Sequence, residues 1–292
     1  MMGKRIMLFL VTNLAIMVTL SIVLSVLGVT GYVLPGGGLD YGTLAVFCLV
    51  WGMGGAFISL LMSRVIAKMM MSVKLVNGQS GNAELDWLHR TVARLAQQAQ
   101  LPMPEVGYYE SAEVNAFATG PSKSKSLVAV SSGLLKGMRQ EEVEGVLAHE
   151  LSHIKNGDMV TMTLIQGVVN AFVLFLSRII ANIARNAVDE RYAFMVGFAV
   201  TIALDILLGI LGMTVVAWFS RAREFRADAG AATLTGRENM ISALRRLQTT
   251  KALIDTRQPE LATLKISGTR RMALFATHPP LEDRIAALEN YR

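Results

Sequence analysis

The sequence of 292 residues is poor in charged side chains and has almost no cysteine. Charged residues make up 17% of the chain, against roughly 25% in an ordinary soluble protein, whereas apolar side chains account for 52%. This composition excludes a disordered, collagen-like or coiled-coil protein. The single cysteine, Cys48, excludes a small disulfide-stabilised scaffold, because no second thiol can pair with it. The remaining class is an integral membrane protein that also carries a modest soluble domain.

Acidic residues are outnumbered by basic ones, 22 against 28, which gives a formal net charge of +6. No basic patch with interleaved aromatic residues stands out, so we expect no nucleic-acid partner. In a membrane protein, lysine and arginine collect in the cytoplasmic flanks of the spans. The basic excess therefore favours contact with a lipid bilayer.

Four apolar runs predict membrane helices. Residues 6–29 and 42–62 contain no charge, and each is long enough to cross the hydrocarbon core. The first run is too long for a signal-peptide core, so we interpret it as an uncleaved anchor. Residues 159–177 and 192–220 are expected to form a second spanning hairpin, the alternative being a water-exposed pair packed on the soluble domain. For Asp205, inside the last run, we expect a polar contact between helices.

The distribution of basic residues predicts the topology. The connector 32–41 has no lysine or arginine, whereas Lys4 and Arg5 precede the first run and Arg64 and Lys68 follow the second. By the positive-inside rule, the outer flanks are cytoplasmic and the connector is not.

The same pattern predicts the domain organisation, because a hairpin returns the chain to the side from which it started. We expect the polar blocks to fold together as one discontinuous cytoplasmic domain. The predicted parts are an N-terminal transmembrane hairpin over residues 1–62, a second hydrophobic hairpin over 159–220, and a cytoplasmic polar domain over 63–158 and 221–292.

Hydrophobic periodicity predicts the elements of the polar blocks. Helices are expected over residues 83–100, 140–154, 221–234, 237–247 and 280–288, short extended segments over 105–109 and 126–130, and a basic mobile loop over 255–275. Asn156 and Gly157 are expected to end the second of these helices.

The most informative stretch is His149-Glu150-Leu151-Ser152-His153. Two imidazoles at positions i and i+4 lie on one face of a helix, where both can reach one zinc ion. Glu150 is one residue on and can reach a water at that metal, as a general base must. The alternative is an amphipathic helix with surface histidines. The motif within an independently predicted helix favours zinc.

A catalytic zinc needs a third protein ligand, which must come from elsewhere in the chain. His89 and His278 are the remaining histidines. Glu224 and Asp228, at i and i+4, form another candidate pair: Glu224 as a ligand and Asp228 as an acceptor for a ligand histidine N–H. The alternative for this pair, flanked by arginines, is a solvated, salt-bridged helix.

Several motifs together resemble the HtpX family of bacterial heat-shock membrane proteases, which is similar to the type I CAAX prenyl proteases. The resemblance spans nearly the whole chain. It is carried by Val146 to His153, Asn156-Gly157-Asp158, Asn115 to Gly120, Arg223-Glu224-Phe225 with Ala227-Asp228, and Thr277-His278-Pro279-Pro280. One departure is Arg226, where close relatives would be expected to have histidine.

The resemblance implies a mainly α multi-pass membrane protein with a cytoplasmic α+β zincin-type metalloprotease domain. It implies one zinc ion per chain, with His149, His153 and Glu224 as ligands, Glu150 as the base and Asp228 orienting a ligand histidine. These roles are expectations that follow from the matched motifs.

Further roles follow from the same resemblance. His278 and Arg284 would lie near the developing oxyanion, although His278 could instead belong to a capped turn before the last helix. The segment Asn115, Ala116 and Phe117 would form an edge strand that pairs with an extended substrate.

The implied function is hydrolysis of cytoplasmic segments of misfolded or damaged membrane proteins at the bacterial inner membrane, in a stress response. One alternative is a non-enzymatic membrane scaffold or chaperone whose motif is inert. Another is an intramembrane protease with zinc inside the bilayer. The charged residues around the motif, such as Arg139, Glu144, Lys155 and Asp158, disfavour this last alternative.

Overall fold

The structure, a computed structural model, describes residues 2–29, 31–257 and 276–291. The elements in chain order are α1 (Met2–Val26), α2 (Tyr41–Met70), β1 (Lys74–Leu75), α3 (Ala83–Gln98), β2 (Glu105–Tyr109), β3 (Ala116–Ser122), β4 (Lys125–Ser131), α4 (Ser132–Gly137), α5 (Gln140–Asn156), α6 (Asp158–Asn186), α7 (Glu190–Thr235), α8 (Arg237–Arg257) and α9 (Leu281–Glu289). This mainly α architecture with a small sheet confirms the predicted fold class.

The chain divides into two compact units. Unit 1 comprises Met1–Ser59 and Met162–Val216, and unit 2 comprises Leu60–Thr161 and Ala217–Arg292. Both units are therefore discontinuous in sequence.

Unit 1 contains the apolar helices. Over the described residues, α2, α6 and α7 are long and apolar enough to cross a membrane, and α1 contributes a shorter apolar stretch, Asn13–Val26. Apolar side chains cover the outward faces of these helices, as lipid contact requires.

Asp205 makes a polar contact between helices α6 and α7, as expected from the sequence. Its carboxylate accepts hydrogen bonds from the Ser177 hydroxyl at 2.5 Å and from Nη1 of Arg178 at 3.1 Å. Pairing with Arg178 satisfies a charge that would be costly if it faced lipid alone.

Unit 2 is built on a four-stranded sheet with the strand order β1-β2-β4-β3. Strands β2 and β4 are parallel, whereas β1 and β3 pair antiparallel with their neighbours. The predicted extended segments are thus confirmed, and β3 forms an edge of the sheet.

Local signals explain where the helices of unit 2 begin and end. The Asn82 side chain accepts hydrogen bonds from the backbone N–H groups of Glu84 and Leu85 and so caps α3. At the start of α5, where no serine or threonine is present, the Glu142 carboxylate accepts from the Arg139 N–H at 2.9 Å. Gly157 ends α5 in the left-handed conformation at φ +69°, as predicted.

Two helix predictions need correction. Residues 221–234 do not form a separate helix; they are the last part of α7, because no proline interrupts the chain where its pattern changes from wholly apolar to amphipathic. Helix α8 extends ten residues beyond the predicted end at Leu247, to Arg257. The predicted loop 255–275 therefore begins within α8, and its remainder, 258–275, lies outside the described residues.

Candidate metal centre

Helix α5 brings His149 and His153 together on one face. Both side chains are buried, and their Nε2 atoms lie 3.1 Å apart. The spacing of four residues places the imidazoles one above the other, with the rings meeting edge to face.

Helix α7 supplies Glu224 to the same point. Its Oε2 lies 3.5 Å from Nε2 of His149, and its Oε1 lies 3.4 Å from Nε2 of His153. The helices cross closely because Gly230 of α7 lies against Ser152 of α5: a Cβ on Gly230 would be 2.4 Å from the Ser152 Oγ. A larger residue there would force the helices apart.

The second nitrogen of each imidazole faces an aspartate. Nδ1 of His149 lies 2.9 Å from Oδ1 of Asp228, and Nδ1 of His153 lies 2.6 Å from Oδ2 of Asp158. An imidazole that donates its Nδ1–H to a carboxylate keeps the lone pair of Nε2 for a cation. Both histidines therefore present the same nitrogen to the point faced by Glu224.

Asp158 is the residue for which the sequence reasoning found no role. The sequence marks it only as part of the Asn156-Gly157-Asp158 motif and as one of the charges around the histidine pair. Its position directly after Gly157 could have indicated this contact, because the chain turns at the end of α5 and brings Asp158 back toward His153. The exposed Arg226 reaches the other oxygen of Asp158, with Nη2 3.6 Å from Oδ1.

The residues fit a divalent metal. Adjacent ligand atoms of a tetrahedral zinc site with bonds of about 2.0–2.1 Å lie about 3.3 Å apart, close to the separations among His149, His153 and Glu224. The Glu224 Oε1 is buried and has no hydrogen-bond partner among the described residues. Nε of Arg223 lies 3.6 Å from this oxygen, beyond hydrogen-bond distance. A buried carboxylate oxygen without a hydrogen bond is costly, and a cation between the three side chains would satisfy it.

The electrostatics of the centre also favour a cation. Burial raises the pKa of Glu224, but the facing imidazoles of His149, His153 and His278 outweigh it and hold the pKa far below its usual range. Burial lowers the pKa of His153, but Asp158 and Glu224 reverse this effect and raise the pKa to about 9. For His149, Asp228 and Glu224 likewise overcome burial, so its pKa is raised.

Arg284 of α9 is buried beside this cluster. Its Nε and Nη2 donate to the two oxygens of Asp228 at 2.8 and 2.6 Å. Its Nη2 also lies 3.4 Å from Nδ1 of His149. The guanidinium thus holds the carboxylate that faces His149.

His278 lies at the edge of the cluster. Its Nδ1 is 2.9 Å from Oε2 of Glu224, and its side chain is 62% exposed. The ring is therefore accessible from solvent while it contacts the buried glutamate.

Glu150 is half-buried on α5, next to the histidine pair. Its negative charge helps to raise the pKa values of His149 and His153. This effect is smaller than that of burial, which lowers both values, and that of the carboxylates in direct contact with the rings, which raise them.

The predicted substrate segment lies on the outer strand of the sheet. The Asn115 N–H donates to the Ser131 Oγ at 3.1 Å, and β3 then pairs Ala116 with Val130 and Phe117 with Ala129. Within the described residues, the other side of β3 is not paired with a strand.

A comparison with known proteins identifies the family. The model of Peptidase family M48 matches residues 82–292, which include all the side chains of the cluster. The chain belongs to peptidase family M48.

Curated relatives match the chain almost end to end. The Protease HtpX homolog of Methylacidiphilum infernorum (isolate V4) is 51% identical over 300 residues, covering 99% of both chains. Protease HtpX of Shewanella oneidensis is 51% identical, covering 98% of this chain and 99% of its own. The predicted resemblance to the HtpX family is thus confirmed.

A solved structure shares the fold. The crystal structure of S. mikatae Ste24p matches with a TM-score of 0.65 and 17% identity, covering 98% of this chain and 67% of that chain. Family membership, the HtpX relatives and the apolar helices make this M48 protein a membrane-associated metalloprotease.

Proposed function

We propose that this M48 member is a zinc endopeptidase in which His149, His153 and Glu224 hold one zinc ion. The observation that carries the proposal is the convergence of two Nε2 atoms and one carboxylate within 3.1–3.5 Å, at a buried Glu224 Oε1 that accepts no hydrogen bond from the described residues. Two imidazoles and one carboxylate leave a fourth position for water or substrate, as in catalytic zinc sites. When bound, zinc would supply a Lewis acid that polarises a peptide carbonyl and makes a water more acidic.

In this proposal Glu150 is the general base. It follows His149 directly, is not fully buried, and lies close enough for its charge to act on both histidines. Its carboxylate accepts the proton of the attacking water and passes it to the leaving amine.

Asp228 and Asp158 orient the two ligand histidines, and Arg284 acts through Asp228. The double hydrogen bond between Arg284 and Asp228 makes this arginine a positioning residue. We assign the oxyanion contact to His278. When the ring is protonated, its Nδ1–H donates to Glu224 and its Nε2–H can donate to the substrate oxygen on which charge develops.

Substrates are proposed to bind as an added strand along β3, next to Asn115, Ala116 and Phe117. Main-chain hydrogen bonds to the unpaired side of β3 would hold an extended segment of many sequences. Such tolerance suits a protease that removes misfolded or damaged membrane proteins during stress.

We place the protein in the bacterial inner membrane with the metal centre on the cytoplasmic side. Lys4, Arg5, Arg64, Lys68 and Arg221 flank the apolar runs on one side, which supports this orientation by the positive-inside rule.

The test compares three variants of the full-length protein for zinc content and peptidase rate. Glu150→Gln should keep zinc and lose about 10²–10⁴-fold in turnover, because a neutral amide cannot accept the proton. Glu224→Ala should lose zinc itself, since only two ligands remain. Glu141→Gln, an exposed glutamate at the start of the same helix, is the matched control and should match wild type.

Two outcomes would refute the assignment. Turnover of Glu150→Gln within a few-fold of wild type would exclude Glu150 as the base. Full zinc content in Glu224→Ala would exclude Glu224 as a ligand.

A further inference from the structure

Unit 1 contains a cavity of about 550 Å³ at the end where its two connectors lie. Tyr32 and Leu39 of the first connector line it together with Asn182 and Arg185 of α6 and Phe198 of α7. Gly37 and Asn186 join the same region, because the Asn186 side chain donates to the Gly37 carbonyl at 3.2 Å. The cavity thus lies among helices long and apolar enough to stand in a bilayer.

Arg185 is a charged residue that lines this cavity without an ion-pair partner among the described residues. Its stem lies across Gly197 of α7, where an added Cβ would be 3.4 Å from the Arg185 Cβ. Its Nη2 extends toward the first connector, 4.0 Å from the place of a Cβ on Gly37. Within the part of the chain that the structure describes, Arg185 makes no ion pair, whereas Arg178 on the same cavity wall is paired with Asp205.

Topology does not account for an arginine here. The positive-inside rule depletes basic residues at the end opposite the cytoplasm, and the first connector has none, whereas the second connector has Arg185 and Arg191. Arg191 lies over the Tyr192 ring, but Arg185 has no such ring contact among the described residues. A local ligand for the guanidinium therefore explains its presence better than orientation does. Oxygen atoms of a phosphate are the strongest partners available to it at a membrane surface.

The cavity also carries a negative charge. Glu190, the first residue of α7, lines the same wall and makes no ion pair within 4.0 Å among the described residues. One cation and one anion complement a zwitterion, with the guanidinium meeting a phosphate and the carboxylate meeting an ammonium. Ala181, Ala193 and Phe194 complete an apolar wall that suits an acyl chain.

We propose that this cavity binds a phospholipid whose headgroup carries a primary ammonium, of the phosphatidylethanolamine type. Arg185 binds its phosphate, and Glu190 binds its ammonium. Asn182, three residues before Arg185 and therefore on the same side of α6, is placed to donate to an ester carbonyl below the phosphate. The site is independent of the metal centre and of the proposed function.

The test measures lipid binding to the delipidated full-length protein in detergent by native mass spectrometry. The probes are dioleoyl phosphatidylethanolamine, phosphatidylglycerol and phosphatidylcholine. We expect wild type to prefer phosphatidylethanolamine by at least about tenfold, because a charge-assisted hydrogen bond is lost with each other headgroup. Arg185→Gln should weaken binding of all three lipids, and Glu190→Gln should remove only the preference.

Arg191→Gln is the matched control, because Arg191 neighbours the cavity but does not line it and its guanidinium lies over the Tyr192 ring. Arg185→Lys, which keeps the charge but not the paired donors, replaces Arg185→Gln if that variant does not fold. Free phosphoethanolamine is used as a soluble competitor. Competition at micromolar concentration would show that the headgroup alone, without acyl chains, is sufficient for binding.

Equal binding of the three lipids by wild type would overturn the proposal. So would a preference that survives both Arg185→Gln and Glu190→Gln, or one that is lost equally in Arg191→Gln.

Discussion

Single carboxylates decide which nitrogen each histidine of the candidate metal centre presents. Asp228 and Asp158 each face an Nδ1, so both Nε2 atoms point to Glu224. Without such an acceptor an imidazole can rotate or adopt the other tautomer, and the geometry of the centre is no longer fixed.

Asp158→Asn tests this role for the residue that the sequence reasoning passed over. The amide keeps the size of the side chain but lacks the charge that holds the His153 N–H at 2.6 Å. Zinc affinity should fall about 10–100-fold, measured by competition with a chelator of known affinity. Asp283→Asn, an exposed aspartate on α9, should retain the affinity of wild type. Unchanged affinity in Asp158→Asn would assign Asp158 to the fold alone.

At the scale of single residues, the sequence predicts contacts between residues that are close together in the chain. His149 and His153 are four residues apart on one helix, so their proximity follows from helix geometry alone. Glu224 is distant in sequence from the histidine pair. Residue spacing alone does not choose between Glu224, His89 and His278 as the third ligand, and only the family motifs favour Glu224. The hydrogen bonds between Arg284 and Asp228 depend on how α9 packs against the other helices of unit 2. Hydrophobic periodicity predicts the helices but not how they pack against each other.

Among the elements, the crossing of α5 and α7 sets the position of Glu224, the proposed third ligand. The crossing is close because Gly230 has no side chain where Ser152 presents its hydroxyl, which in turn donates to the Ala148 carbonyl. The distance between Glu224 and the histidines therefore depends on a residue that touches none of them.

Gly230→Ala should disturb this crossing. The added methyl group would overlap the Ser152 side chain, and such overpacking costs about 1–3 kcal/mol, more than the gain in helix propensity. We expect a lower midpoint of thermal unfolding and weaker zinc retention. Ser152→Gly, which clears the space, should restore much of both in the double variant. Strictly additive effects of the two substitutions would show that they do not meet.

Element prediction succeeded where the periodicity is strong and failed where nothing marks a boundary. The apolar spacing of Leu88, Val92 and Leu95 identified α3, and these side chains are fully buried. The sequence does not predict that residues 221–234 continue the preceding apolar helix, because the change from wholly apolar to amphipathic sequence resembles a helix end. Only a proline, a glycine cap or a turn would have marked one, and none lies at Arg221.

For the whole molecule, the proposed function makes protons and metal competitors for one centre. In the metal-free protein the pKa of His153 is raised to about 9 and that of His149 is also raised, since the neighbouring carboxylates outweigh burial. A raised pKa stabilises the folded state fully below the unfolded pKa of about 6.5, and this contribution is lost as pH rises through about 9.

Two measurements follow from this competition. Zinc binding at pH 7 should release at least one proton, seen as a dependence of the calorimetric enthalpy on the ionisation enthalpy of the buffer. The thermal midpoint of the metal-free protein should decline between about pH 6.5 and 9, whereas the zinc-loaded protein should not show this decline. Zinc binding without proton release would mean that the histidines are neutral before the metal arrives.

The topology is tested with reporters on the intact protein. A fusion at Gly37, in the first connector, should report the external side, and a fusion after the last residue should report the cytoplasm. An external C-terminus would contradict the paired hairpins and the cytoplasmic metal centre together.

The order of the ligands along the chain has a consequence for biosynthesis. His149 and His153 precede α6, whereas Glu224 follows it and most of α7, and Arg284 comes later still. A ribosome-bound chain therefore exposes the histidine pair long before its carboxylate partner has been synthesised, and two imidazoles alone hold zinc poorly. If Glu224 is the third ligand, as proposed, the nascent polypeptide is proteolytically silent until its second apolar hairpin has been translated, and the hydrolytic activity is switched on last.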